Sequence, residues 1–217
     1  MIRQMPKRRR LNNFERNFEK RGAYAGSPFF CAVNLLPMEA VELISPALFS
    51  RIMDRLAHQL LEHHDFSQTD LIGLQPRGVL VADRLRARLK KLLNRDDLRL
   101  GALDPTFHRD DFRRKEHLIM PSSTDMNFLI EDRNVILIDD VLFTGRTIRA
   151  GLDALLAHGR PKKVELLVLV DRRFQRELPI EPQYVGRSVD SLDAQHVQVE
   201  WGREVGLDRV VLLNKKP

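Results

Sequence analysis

Two adjacent acids, Asp139 and Asp140, directly follow the aliphatic run Val135-Ile136-Leu137-Ile138, and Val141, Leu142 and Phe143 then lead into Thr144-Gly145-Arg146-Thr147. Paired carboxylates accept hydrogen bonds from vicinal hydroxyls, or hold a metal ion. A Thr-Gly-x-Thr turn entering a helix offers backbone N–H groups, two hydroxyls and a positive dipole end, which together cradle an anion. Alone, the same turn is also a plain helix start. Gly145 permits close approach of a phosphate to the backbone. In unbroken order the pieces suit one kind of ligand, with a diol at one end and a phosphate at the other, as in a 5-phosphorylated ribose. A Walker-type nucleotide loop is disfavoured, because no Gly-Lys-Ser/Thr follows a strand.

A second turn, Gln75-Pro76-Arg77-Gly78, combines a cation, a glycine and a helix start. It reads either as an anion grip or as a tight strand–helix connection. No Ser-His-Asp constellation and no metal-ligand cluster stands out. The single cysteine, Cys31, excludes an internal disulfide and a cysteine-rich zinc site. A reducing, cytoplasmic setting is the simplest reading. No apolar run approaches the roughly 18 residues of a membrane span.

The elements that must position these groups follow from periodicity. A helix opens at Ser45-Pro46, with proline at its first position, carries Leu48, Ile52, Leu56, Leu60 and Leu61 at helical spacing, and ends near His63-His64. Residues 71–74 suit a buried strand. Residues 79–93 read as a helix with Ala82, Leu85, Leu89, Leu92 and Leu93 facing inward. Residues 99–103 suggest a second strand. Residues 104–134 are polar and without period, a length that points to a functional loop or hairpin. Residues 135–138 form a strand, and residues 148–158 a helix with Ile148, Leu152, Leu155 and Leu156 on one face. Residues 164–170 form another buried strand. The tail, from about Tyr184, reads as short strands, including 197–201 and 210–213. Strands alternating with helices imply an α/β fold with a mostly parallel sheet covered on both faces, and ligands in such sheets sit at the C-terminal strand edge.

The chain has 217 residues and 43% apolar content, enough for one domain with an appendage. Its net charge of +6 is concentrated: residues 1–37 hold eight Lys/Arg against two acids, which leaves 28 of each sign in residues 38–217. The leading segment reads as a basic arm that touches nucleic acid, as a solvated tail, or as sequence preceding a natural start at Met38. The formally neutral body restricts any nucleic-acid contact to a local patch.

The motif at residues 135–147 resembles the 5-phosphoribosyl-1-pyrophosphate (PRPP) motif of type I phosphoribosyltransferases, and the chain is identified as a member of the PyrR family of pyrimidine-operon regulators and uracil phosphoribosyltransferases. The stretches that carry this are Arg55-Leu-Ala-His58, Leu71 through Val79, Gly101 through Asp111, Val135 through Pro161, Leu169 through Arg172, and Glu177-Leu178-Pro179-Ile180 with Tyr184-Val185-Gly186. The resemblance implies a type I fold with a flexible catalytic loop and a small hood. It implies that Asp139, Asp140 and Val141 through Thr147 bind PRPP, that Arg77 and Gly78 hold its pyrophosphate, and that Arg109 in a mobile loop at 104–127 neutralises pyrophosphate, with Asp110, Asp111 and Lys115 nearby. Val170, Asp171 and Arg172, in a loop after the strand at 164–170, would read uracil. Mg²⁺ would be bound mainly through PRPP. Two departures stand out: Pro76 replaces a residue that often bears a hydroxyl, and Arg173-Phe174-Gln175 is longer than the usual Gly-His step.

The same resemblance implies UMP-dependent binding of an mRNA leader through Arg55, His58, Arg160, Arg176 and Arg187, in a homo-oligomer. Each of these also reads as an ordinary solvated side chain. Three functions from different classes compete: an active uracil enzyme that also regulates RNA, a nucleotide-sensing regulator with little catalysis, and a salvage enzyme for another base.

Overall fold

The computed structural model describes residues 40–110, 124–192, 195–202 and 206–214. The expectations placed on residues 1–37, Asp111 and Lys115 lie outside these. In chain order the elements are β1 (Ala40–Ile44), α1 (Pro46–His63), β2 (Thr69–Leu74), α2 (Gly78–Leu93), β3 (Leu100–Leu103), β4 (Asn134–Leu142), α3 (Arg146–Ala157), β5 (Lys163–Arg173), β6 (Tyr184–Asp190), β7 (Gln195–Glu200) and β8 (Arg209–Asn214).

Five strands form one sheet in the order β3-β2-β4-β5-β6, with every pairing parallel. Strand alternation divides its side chains between two cores. Leu71, Ile136, Ile138, Leu167 and Leu169 pack with α1 and α2, whereas Ile72, Leu74, Val135, Leu137, Leu166 and Val168 pack with α3. The near-continuous apolar runs follow from a sheet covered on both faces.

The helices begin and end as the sequence indicates. Ser45 caps α1 by accepting a hydrogen bond from the Leu48 amide at 3.4 Å, with Pro46 at the first helical position. Two inward assignments are corrected. Leu92 is 47% exposed and Leu156 is 59% exposed. On α3 the sheet-facing positions are Ala150, Gly151 and Ala154, beside Ile148 and Leu155. A Cβ at Gly151 would meet Leu74 Cδ2 at 2.7 Å. The helix therefore lies close to the sheet on its small residues, and a count of bulky side chains misplaces its face.

A third correction concerns β5. It does not give way to a loop after Val170 but continues to Arg173, paired with β6 through Val170↔Arg187 and Arg173↔Asp190. The apolar run stops earlier because the last side chains are charged. The ladder persists because each charge finds a partner: Asp171 with Arg176, Arg172 with Ser191 Oγ at 2.8 Å, and Arg173 with Asp190 at 2.7 Å.

A smaller antiparallel sheet, β1-β8-β7, packs Ile44, Val197, Val199 and Val210 into the core shared with α1 and α2. The strand β1 was not anticipated from sequence. Its attachment is reinforced by Arg84 on α2, which makes two hydrogen bonds to the buried Asp208 and lies 4.6 Å from the Trp201 ring centroid. Asp208 also accepts the Gly202 amide at 3.0 Å. Replacing Asp208 with Ala strands a largely buried guanidinium, so we expect a loss of roughly 3 kcal/mol in urea unfolding and a Tm drop of roughly 6–12 °C.

Candidate functional site

The acid pair lies at the C-terminal end of the central strand β4, with Asp139 and Asp140 only 7% and 6% exposed. The local chain explains how two acids survive there. The Asp140 amide donates to Asp139 Oδ1 at 2.9 Å, and the Val141 amide donates to Asp140 Oδ1 at 2.8 Å. Asp140 Oδ2 is buried and has no hydrogen-bond partner. Its nearest cation, Arg77 Nη1, is 3.9 Å away, an ion pair too long to be a hydrogen bond. A buried acceptor left unmatched is costly, and here it faces the turn before α2. Burial, then the adjacent charge of Asp140, holds the Asp139 carboxyl well above the ordinary carboxylate range. Burial also raises Asp140, against the opposing pull of Arg77.

Gly78 opens α2 directly against this pair. A Cβ there would collide with the Ile138 carbonyl and come within 3.0 Å of Asp139 Cα. A Cβ at Gly73 would likewise lie 2.6 Å from Val79 Cα. The glycine thus brings the helix N-terminus onto the end of β4, a role that sequence reasoning, which assigned it to anion approach, did not see. The Gln75–Pro76 peptide is cis. Arg77, next to it, is half-exposed and faces Asp140 across the two strand ends.

Beyond the acids, the chain turns through Gly145, at φ 91°, into α3. Residues 141–148 line a cleft of about 270 Å³ together with Arg109, Asp110 and Asp139. The cleft collects Asp139 of the acid pair, the Thr-Gly-Arg-Thr turn and the candidate cation of the long loop. Arg109 Nη1 is 3.4 Å from Thr147 Oγ1, Arg149 donates to the His108 carbonyl at 3.1 Å, and Asp110 pairs with Arg146. The loop is anchored where it leaves and where it returns. Asp104 Oδ1 accepts the Thr106 amide at 2.9 Å, and Ala102 and Asp125 exchange backbone hydrogen bonds of 2.9 and 2.8 Å.

The turn is backed by residues 176–180. Arg176 donates to the Phe143 carbonyl at 2.5 Å and pairs with Asp171. The Glu177 and Leu178 amides both donate to the Thr144 carbonyl, at 3.0 and 3.2 Å. The Leu178 and Ile180 side chains lie 3.3–3.5 Å from where a Gly145 Cβ would stand. The carbonyls of 143 and 144 are thus engaged from behind, and the Arg146 amide donates to Thr144 Oγ1 at 3.4 Å. The Glu-Leu-Pro-Ile block was legible only as a family mark; its role as a backing appears in the fold.

At the end of β5, Val170 is fully buried with its side chain in the core, and Asp171 is held by Arg176. Arg172 is buried, donates to Ser191 Oγ, Gln175 Oε1 and the Gln195 carbonyl at 2.8, 3.0 and 3.1 Å, and stacks 4.1 Å from the Phe143 centroid. Parallel pairing sets Val141 beside Val170 and Leu142 beside Asp171, so this end of β5 adjoins the acid pair.

Of the five basic residues considered for nucleic acid, three lie about α1 and the edge strand β6 and two lie elsewhere. Arg55 on α1 donates to the Val185 and Gly186 carbonyls of the edge strand, Arg187 donates to the Leu43 carbonyl at 2.7 Å, and His58 is exposed one turn along α1 from Arg55. Arg160 is exposed between α3 and β5, and Arg176 backs the turn from behind through the Phe143 carbonyl. Among the described residues no three His, Cys, Asp or Glu side chains converge as a metal site, and no helix is long and apolar enough to cross a membrane.

Residues 43–203 match the phosphoribosyl transferase domain model. The Bifunctional protein PyrR of Actinobacillus pleuropneumoniae is 42% identical over 175 residues, covering 80% of this chain and 97% of the relative. That of Enterococcus faecalis is 40% identical over 176 residues, covering 81% and 97%. The fold is similar to a hypoxanthine phosphoribosyltransferase of Staphylococcus aureus, with a TM-score of 0.59 at 20% identity over 82% of this chain and 93% of that one. It is also similar to that of Trypanosoma cruzi, with a TM-score of 0.58 at 16% identity over 81% and 97%.

The raised value of Asp139 has a thermodynamic sign. A carboxyl that binds its proton more tightly when folded supports the fold below the ordinary carboxylate pKa and loses that support as pH rises through the raised value. Asp139→Asn should therefore raise the Tm of the unliganded protein at neutral pH by roughly 2–4 °C, the effect of about 1 kcal/mol in a chain of this size. The gain should shrink toward acid pH in calorimetric scans.

Proposed function

This chain belongs to the phosphoribosyl transferase domain family, among the PyrR proteins, and we propose that it transfers the phosphoribosyl group of PRPP to uracil, giving UMP and pyrophosphate. The observation that carries the reading is the buried, unmatched Asp140 Oδ2 at the end of β4, facing Arg77 at the start of α2. Asp139 and Asp140 accept hydrogen bonds from the ribose diol. The amides and hydroxyls of residues 144–147 hold the 5-phosphate. Arg77 and the start of α2 at Gly78 take the pyrophosphate, and Arg109 adds charge as it departs. Uracil sits at the end of β5, near Val170, Asp171 and Arg172, beside the stacked Phe143.

In the reaction the bond from C1 of the ribose to pyrophosphate breaks, the bond to the uracil nitrogen forms, and that nitrogen's proton is lost. The protein contributes positioning and electrostatics, with no covalent intermediate. Mg²⁺ fits a donor set of this kind when held mainly by PRPP oxygens and water, with Asp139 and Asp140 the adjacent carboxylates, and it would neutralise phosphate charge.

A second role, UMP-dependent binding of an mRNA leader by a cytoplasmic homo-oligomer, is supported by likeness to proteins called bifunctional and by the exposed Arg55, His58 and Arg187 about α1 and β6. Arg160 is a further candidate. Arg176 backs the turn at Phe143 in addition to any RNA contact. The basic segment at residues 1–37 is a candidate arm for the same ligand. A reading with weak catalysis is favoured by one observation: the enlarged step after β5 carries Phe174, 81% exposed and at φ 71°, an unusual backbone for a phenylalanine.

Radiolabelled uracil with PRPP and Mg²⁺ should yield UMP; none at high enzyme concentration rejects the catalytic reading, and hypoxanthine and adenine in parallel test the base. Asp139→Asn with Asp140→Asn should abolish PRPP binding in calorimetry while the protein stays folded. In gel shifts, leader RNA should bind more tightly with UMP and more weakly with salt; no shift at low salt rejects the regulatory half.

A further inference from the structure

Glu177 has no place in the reaction as described, yet its side chain accepts a hydrogen bond from Arg146 Nε at 2.5 Å. The opposite end of that guanidinium, Nη1, pairs with Asp110 of the long loop. Arg146 itself lines the cleft between Gly145 and Thr147. Three charged groups thus run from the backing segment, through the phosphate turn, to the loop that carries Arg109. Both acids raise the Arg146 pKa, Glu177 most.

We propose that Glu177 is a positioning residue for the 5-phosphate of PRPP, acting through Arg146. The inference rests on the phosphoribosyl reading of the cleft. A guanidinium is a planar fork, and fixing its Nε edge fixes the direction of the other. Glu177 sets that edge from a stretch of chain that is itself registered to the turn by two amides on the Thr144 carbonyl. The side chain and backbone of one residue therefore position both the cation and the loop at the phosphate end. The pair is about half exposed on each side, so it contributes little to stability.

The 5-phosphate is bound alike before and during bond breaking, so weaker positioning should raise KM and spare kcat. Steady-state kinetics at saturating uracil should show the PRPP KM of Glu177→Ala up by about tenfold, with kcat within about twofold and Tm unchanged. Glu177→Gln, which keeps an acceptor, should fall between. In an Arg146→Ala background, Glu177→Ala should add nothing further, because neighbours acting through one contact are not additive. A kcat loss at constant KM, or full additivity with Arg146→Ala, overturns the proposal. An unmodified protein that binds no PRPP in calorimetry removes the phosphoribosyl reading itself, and this inference with it.

Discussion

Holding two neighbouring carboxylates at the buried end of a parallel strand is the constraint around which the rest of the molecule is arranged. Such a pair resists burial twice, through lost hydration and through mutual repulsion. The protein answers with local backbone amides on the inner oxygens and a distant arginine on the outer one. It does not fully neutralise the pair, and one oxygen stays unmatched. The environment that makes the acids unfavourable in the free protein leaves a strong acceptor at the end of β4.

The surrounding elements make sense as supports for that position. The two cores hold β4 from both faces. Gly78 lets α2 press its N-terminus onto the strand end, and Gly145 sends the chain sharply into α3. Residues 176–180 then close the back of the turn. Membership of the phosphoribosyltransferase family agrees with each of these features, and the low identity to the hypoxanthine enzymes shows that the fold tolerates wide sequence change.

Much of this was legible in the sequence because the signals are local. The run Val135–Asp140 states a strand and its acidic end, and Thr144-Gly145-Arg146-Thr147 states a turn and a helix start. What could not be read depends on contacts distant along the chain. The strand character of Asp171, Arg172 and Arg173 is hidden because their partners, Arg176, Ser191 and Asp190, lie several to many residues away. The face of α3 was misjudged at Leu156 because close helix–sheet packing selects Ala and Gly over bulk. Arg176 looked like a surface cation until the fold placed it on the Phe143 carbonyl.

The elevated proton affinity of Asp139 and Asp140 reaches into calorimetry. In the role proposed for them the two acids accept from hydroxyl donors, which favours their ionised form and opposes the raised proton affinity. Association of the proposed ligand would then be linked to release of acid into the medium, and the apparent enthalpy of complex formation would vary with the ionisation heat of the chosen buffer.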